Sequence, residues 1–360
     1  MCDPKSTGCG ENGALCDGSD ISWLRLDHQP YKGVRYVHFA TSQWNMDHAI
    51  FADNLDIAGN RLRYGQESAW HWGTDLVNTV IRIFKTDPSN LLGPALRYDI
   101  TITEVHSDME YWMQVPSPDH PESYRFQWAK VAADGSHGDR GELCPYTAPP
   151  DPNGPWHGRS FNAVVFEGEK YDNDTRDITL TALGPVYGAP FNIACIGSLP
   201  AKQEMTRRTT AASTNVYMTT IADDRQNLAR AWAAEYCGGG HSFTHQGHKL
   251  RIADRRGWLS AAMVGWTPAQ LTSSSFHVEA VWKDGKAVCL ETPRLAVDDD
   301  SVPPESGIWD RIRDQCGAEN VPPRCSSQSW FSSGTGPWAD HGDFMTATIG
   351  DQVVDDPQWR

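Results

Sequence analysis

Residues 234–259, AEYCGGGHSFTHQGHKLRIADRRGWL, constrain the fold more than any other stretch. Ile221, Leu228, Trp232 and Tyr236 recur at helical spacing behind the capping residues Asp223 and Asp224, so a helix with one apolar stripe runs into it. Gly238, Gly239 and Gly240 supply the backbone freedom that ends that helix. Phe243, Leu250 and Ile252 then read as strand positions around a Gln246-Gly247 turn. Cys237 sits at the junction, where a cross-link pins helix to sheet.

The 360 residues suffice for two domains, or for one large domain with extensions. With 15 Trp, 11 Tyr and 11 Phe the chain can fill a core, while 31 Gly and 23 Pro interrupt it often enough to favour short strands and loops. A net charge of −15 repels phosphate backbones and argues against nucleic-acid partners. No apolar run is long enough for a transmembrane helix. Nine cysteines in an acidic, loop-rich chain point to export into an oxidising compartment, set against scattered buried thiols in a cytosolic protein. Met1 leads directly into Cys2, which leaves two readings: an export signal replaced by a start Met, or a start site placed too late. In the first, Cys2 is a candidate for lipidation, and eight cysteines remain to pair.

Residues 1–30 read as a Cys- and Gly-rich tether in which Cys9 and Cys16 close a local disulfide loop, or form part of a metal knuckle. Residues 31–190 hold short β-prone runs at 34–40, 96–105, 111–115, 124–131, 161–166 and 178–183. Leu96, Tyr98, Ile100 and Ile102 alternate with Arg97, Asp99, Thr101 and Thr103, the pattern of a strand with one wet face. Residues 76–85 lean to strand because Val and Ile dominate their second half. Residues 191–295 mix a run at 191–194, a short helix near 201–207, the helix ending at Cys237, and a hairpin around Asp284-Gly285. That hairpin places Cys289 within reach of the helix. Residues 296–360 form an acidic, Pro-rich extension with a helix at 308–314, stapled locally by Cys316 and Cys325. The fold class is α+β and β-rich: antiparallel sandwich or open-barrel-like sheets with a few short helices, held by disulfides.

Ala234-Glu235-Tyr236-Cys237 followed by GGGHSFT resembles the signature of the ADYC-domain family, bacterial proteins many of which carry export or lipoprotein signals. Glu142-Leu143-Cys144, Phe191 to Cys195 with Ala201-Lys202 downstream, and Glu279 to Trp282 running to Cys289 extend the resemblance over about residues 142–295. Glu235 replaces the family's Asp, and Gln203 stands where members often carry a cysteine. The resemblance implies a secreted or surface-anchored domain and brings no activity with it. The pairing taken alongside it is Cys144–Cys195 and Cys237–Cys289, although four cysteines permit three connectivities.

Three groups of residues carry ligand chemistry. His241, His245 and His248 offer imidazoles for zinc or copper, set against solvated hairpin histidines. Asp172, Asp174 and Asp177, with the 298–300 Asp run, offer carboxylates for calcium, set against charged surface turns. Trp70, Trp72 and Trp112 lie in the strand region, where aromatic faces stack on sugar rings or simply fill the core. No nucleophile elbow or phosphate-binding loop is present. The sequence therefore points to an exported module at the outer membrane surface, in the periplasm or outside the cell. Its role would be binding or structural, with a cell-surface or extracellular protein or glycan as partner. The alternatives are an extracellular metal-dependent or hydrolytic enzyme and a self-assembling structural subunit.

Overall fold

The computed structural model describes residues 23–52, 54–66, 69–86, 93–107, 121–144, 162–172, 177–181, 190–196, 198–206, 222–238, 241–243, 250–255, 276–293, 307–332 and 338–349. Contacts divide the chain into two compact units: among the described residues, the first runs to residue 206 apart from Asp177, and the second comprises Asp177 and the residues from 222 onward.

The first unit contains β1 (Trp23–Leu24), β2 (Val34–Ala40), α1 (Gln43–Asp47), β3 (Leu55–Ala58), β4 (Arg61–Gln66), β5 (Ala69–Trp72), β6 (Val80–Lys85), β7 (Leu96–His106), β8 (Ser123–Val131), β9 (His137–Glu142), β10 (Asn162–Glu167), β11 (Glu169–Tyr171), β12 (Ile178–Leu180), β13 (Phe191–Cys195) and α2 (Leu199–Met205). Eight strands form one antiparallel sheet in the order β1-β13-β10-β8-β7-β6-β2, with β9 also on β8. It curls into an open half-barrel that brings β1 back beside β2. Alternation decides what lies inside: Phe39, Ile81, Ile100 and Trp128 stand opposite one another across β2, β6, β7 and β8, all in the core. Leu55, Ile57 and Leu62 of the three-stranded sheet β3-β4-β5 belong to the same core. Burying each such side chain contributes about 1.5–3 kcal/mol. Cys144 and Cys195 join within this core. Trp23 and Leu24, expected in a tether, are instead buried and paired with β13. Asp99, expected on a wet face, is wholly buried, because α1 and a neighbouring arginine and histidine cover it.

The second unit contains α3 (Ala222–Ala233), β14 (Leu250–Asp254), β15 (Phe276–Lys283), β16 (Lys286–Leu290), α4 (Gly307–Cys316), α5 (Ser329–Ser332) and β17 (Phe344–Ile349). Asp224, read as a cap, lies inside α3 and is buried. The β15–β16 turn has positive φ at Asp284 (51°) and Gly285 (73°), as a tight two-residue hairpin requires. The sheet order is β14-β17-β15-β16, so the last described strand is an inner strand. The C-terminal region is therefore structural core and no appended extension.

The disulfides follow from that. Cys237 pairs with Cys316 and Cys289 with Cys325, in place of the expected Cys237–Cys289 and Cys316–Cys325 bridges. Strand alternation is the reason. Cys289 stands opposite Val281 and joins Val278, Met345, Ala347, Cys325 and Trp338 on one face of the sheet. Trp282 and Thr346 bond to each other on the other face, where Tyr236, next to Cys237, stacks on Trp282. The tail supplies one cysteine to each bridge. The described disulfides are the chemistry of an oxidising compartment. No described helix is long and apolar enough to cross a membrane.

Peptide mapping without reduction is expected to return the Cys237–Cys316 and Cys289–Cys325 peptides; recovering Cys237 joined to Cys289 would refute this topology. The two bridges span 79 and 36 residues. Chain-entropy reasoning makes the loss from Cys316→Ser or Cys325→Ser about 4 kcal/mol each, measurable by denaturant unfolding.

Candidate functional site

Helix α1 is short, yet each of its faces has a task. Ser42 Oγ accepts from the Asn45 amide (3.1 Å) and caps it. Met46 packs with Ala40 and Val80, seating the helix on the outer side of β2 and β6. That leaves Trp44 turned to solvent, 61% exposed. The chain then returns to the β2 edge, where the Ala52 amide donates to the Phe39 carbonyl (2.9 Å). On the way it leaves Ile50 49% and Phe51 40% exposed.

The exposed rings are backed by histidines. Trp44 stacks on His48 with centroids 4.2 Å apart and planes at 24°. Phe51 stacks on His38 at 3.8 Å and 8°. The His48 Nδ1 lies 2.8 Å from the Trp44 carbonyl, which holds its ring in place. Burial pushes the His38 imidazole pKa down, and His28 and Arg82 add to the effect, so it stacks as a neutral ring at neutral pH.

Beneath this aromatic surface lies a buried charge. His38, Arg82 and Asp99 stand opposite one another across β2, β6 and β7. Arg82 grips both oxygens of Asp99, with Nε donating at 2.6 Å and Nη2 at 2.7 Å. Gln43 of α1 donates to the same carboxylate at 2.8 Å, and His137 Nε2 lies 3.1 Å away. Burial alone would raise the Asp99 pKa; hydrogen bonds from Arg82, Gln43 and His137 outweigh it and hold the group below the usual carboxylate range. Asp47 accepts from Gln43 (2.9 Å) and lies 3.8 Å from Arg82.

Asp47, Asp99 and His137 bring three ligand atoms within 4.8 Å of one another. The donor set does not fit a metal ion, because the Arg82 guanidinium already supplies the positive charge and takes both Asp99 oxygens. A carboxylate held in this way is a poor general base. What it does is fix α1, and with it Trp44, to the sheet.

Among the described residues, those singled out from sequence are not brought together. His241 is exposed, while His245 and His248 lie outside the described residues, as do Cys2, Cys9, Cys16, Asp174 and Trp112. Asp172 accepts from the Tyr31 hydroxyl (3.2 Å) and lies 3.8 and 3.6 Å from the Lys32 and Lys170 ammonium groups. Asp177 meets Arg230 at 3.4 Å. Trp70 is half-buried under the Arg63 guanidinium (4.1 Å), and Trp72 is 51% exposed. Trp44, Phe51 and Asp99 were missed. The spacing of Trp44 and His48, one helical turn apart in QWNMDHAIF, was the signal for the first.

In the second unit the motif residues meet in the core. Ala234 takes positive φ (52°) and ends α3, and the Glu235 amide donates back to the Arg230 carbonyl (2.9 Å). The Tyr236 hydroxyl donates to the Glu279 carboxylate (2.6 Å), and its carbonyl accepts from the Ala287 amide (3.0 Å). Arg230 donates to the Gly285 carbonyl (2.9 Å) and lies 3.7 Å from Glu235. A Cβ at Gly238 or Gly285 would come within 3.2 Å of its Nη1. A family model, the ADYC domain, matches residues 73–296. The chain belongs to the ADYC-domain family. No curated protein and no solved structure matches it. The ADYC span begins well before residue 142 and takes in α1's supporting strands β6 and β7. It leaves out α1 itself, β17 and the two tail cysteines.

Two substitutions test these assignments. Asp99→Asn removes the buried charge that Arg82 grips and leaves half-buried Arg82 only the more distant Asp47 (3.8 Å), so it is expected to cost up to about 3–5 kcal/mol. Because the Asp99 pKa is lowered on folding, its contribution is present above about pH 4 and fades as pH falls through the folded value. The Asn variant should therefore lose less stability than wild type on acidification, as read by melting temperature against pH. Tyr236→Phe removes the donor to buried Glu279 and is expected to cost about 1–3 kcal/mol in urea unfolding.

Proposed function

We propose that this ADYC-domain protein is an exported binding module that works in or outside the bacterial envelope and engages its partner through the surface around α1. One observation carries this: Trp44, Ile50 and Phe51, three large apolar side chains within eight residues, are all exposed, and α1, which carries Trp44, is locked to the sheet by a buried ion pair. Apolar side chains exposed on a rigid support suit recognition, since little ordering entropy is lost on binding. The disulfides support an extracytoplasmic setting. Binding is favoured over catalysis because the most enclosed carboxylate at this surface has both oxygens committed to Arg82.

Envelopes and extracellular material from the source organism are expected to retain the wild-type protein from solution. The Trp44→Ala/Phe51→Ala double variant should lose most of that retention with an unchanged melting temperature. Equal retention of both proteins would overturn the assignment of this surface.

A further inference from the structure

We infer that the ligand of the α1 surface is a neutral carbohydrate, stacked by its pyranose faces on Trp44 and Phe51. This rests on the binding role proposed above and names the substrate class of that surface.

The rings themselves are the first argument. Each has a histidine ring against one face, His48 on Trp44 and His38 on Phe51, at 4.2 and 3.8 Å. Their planes are thereby set before any ligand arrives. A flat, pre-oriented aromatic face matches the C–H face of a sugar ring.

Area is the second argument. Three side chains exposed to 61%, 49% and 40% present roughly 300 Å², given about 150–250 Å² for a whole aromatic side chain. A stable protein partner covers about 800 Å² on each side. Among the described residues, the other large exposed apolar side chains are only Trp72 and Leu180. The patch is small for a folded partner and of the size of one or two sugar rings.

The polar rim is the third. Hydroxyl groups need donors and acceptors together: Asp47 (38% exposed) offers carboxylate oxygens, and exposed His48 offers the ring nitrogen not held by the Trp44 carbonyl. Charge then selects within carbohydrates. The chain carries −15 overall, Asp47 sits at the rim, and Arg82 is 12% exposed and committed to Asp99. An anionic polysaccharide would meet repulsion from Asp47, and Arg82 beneath the rings is already paired, so the sugar is uncharged.

Affinity electrophoresis of the full disulfide-bonded chain tests this, with hydroxyethyl cellulose, a soluble β-1,3-glucan, starch and glycol chitin in the gel and polygalacturonate as the acidic probe. At least one neutral polymer is expected to retard the protein, with little effect of added salt. Trp44→Ala and Phe51→Ala should each weaken retardation about tenfold, while Leu180→Ala leaves it unchanged. Retardation by polygalacturonate alone, or by none of the polymers, overturns the carbohydrate assignment. If envelope retention still depends on Trp44 in that case, the binding surface stands and only its ligand class falls. If neither readout depends on Trp44, both fall.

Discussion

The second unit depends on one constraint: its sheet is completed by β17, a strand more than fifty residues beyond β16. β17 hydrogen-bonds to β14 on one side and β15 on the other, so neither neighbour has its ladder filled until residues 344–349 arrive. Bringing them there closes a loop of more than fifty residues after β16, an entropic cost that delays assembly and grows slowly with length. The two bridges from Cys316 and Cys325 shorten that search by anchoring the intervening segment to opposite faces of the same sheet. In an oxidising compartment the tail is thereby covalently held to the unit it completes.

The motif that names the family has a physical role in this frame. Ala234 turns the chain out of α3, Tyr236 places its ring on Trp282 and its hydroxyl on Glu279, and Cys237 ties the junction to α4. Arg230, one helical turn back, caps the β15–β16 turn through Gly285, and the absence of side chains at Gly238 and Gly285 makes room for it. These residues hold helix to hairpin. The surface proposed for binding lies in the other unit, around a helix that precedes the family match.

Burial gives the Asp99 network its importance. An ion pair of this kind at the surface would be worth little, because water screens it. Under α1, with Arg82, Gln43 and His137 all directed at one carboxylate, it becomes costly to break and sets where the helix sits. Rigidity at Trp44 is therefore inherited from a residue that never meets solvent.

Local patterns were legible because they depend on neighbours in sequence. The alternation in 96–102, the Asp284-Gly285 turn and the β2 run each appear where backbone geometry and side-chain period place them, whereas α3 ends at Ala233, short of the expected stop at Cys237, because Ala234 takes positive φ. Cysteine count and spacing likewise pointed to disulfides. Which cysteines pair was decided in three dimensions, since Cys289 faces away from Tyr236 only once β16 is registered against β15 and β17. The same holds for Asp99, polar on a strand that reads as half-wet, yet buried because α1 arrives from another part of the chain. Trp44 and Phe51 look like ordinary core residues in sequence, and it is the seating of Met46 beneath α1 that turns them outward. Sequence by itself determined several strands, the Asp284-Gly285 turn and the presence of cross-links, because those follow from local sterics and composition. Only the tertiary structure decided the partners, because pairing and exposure depend on which distant faces meet.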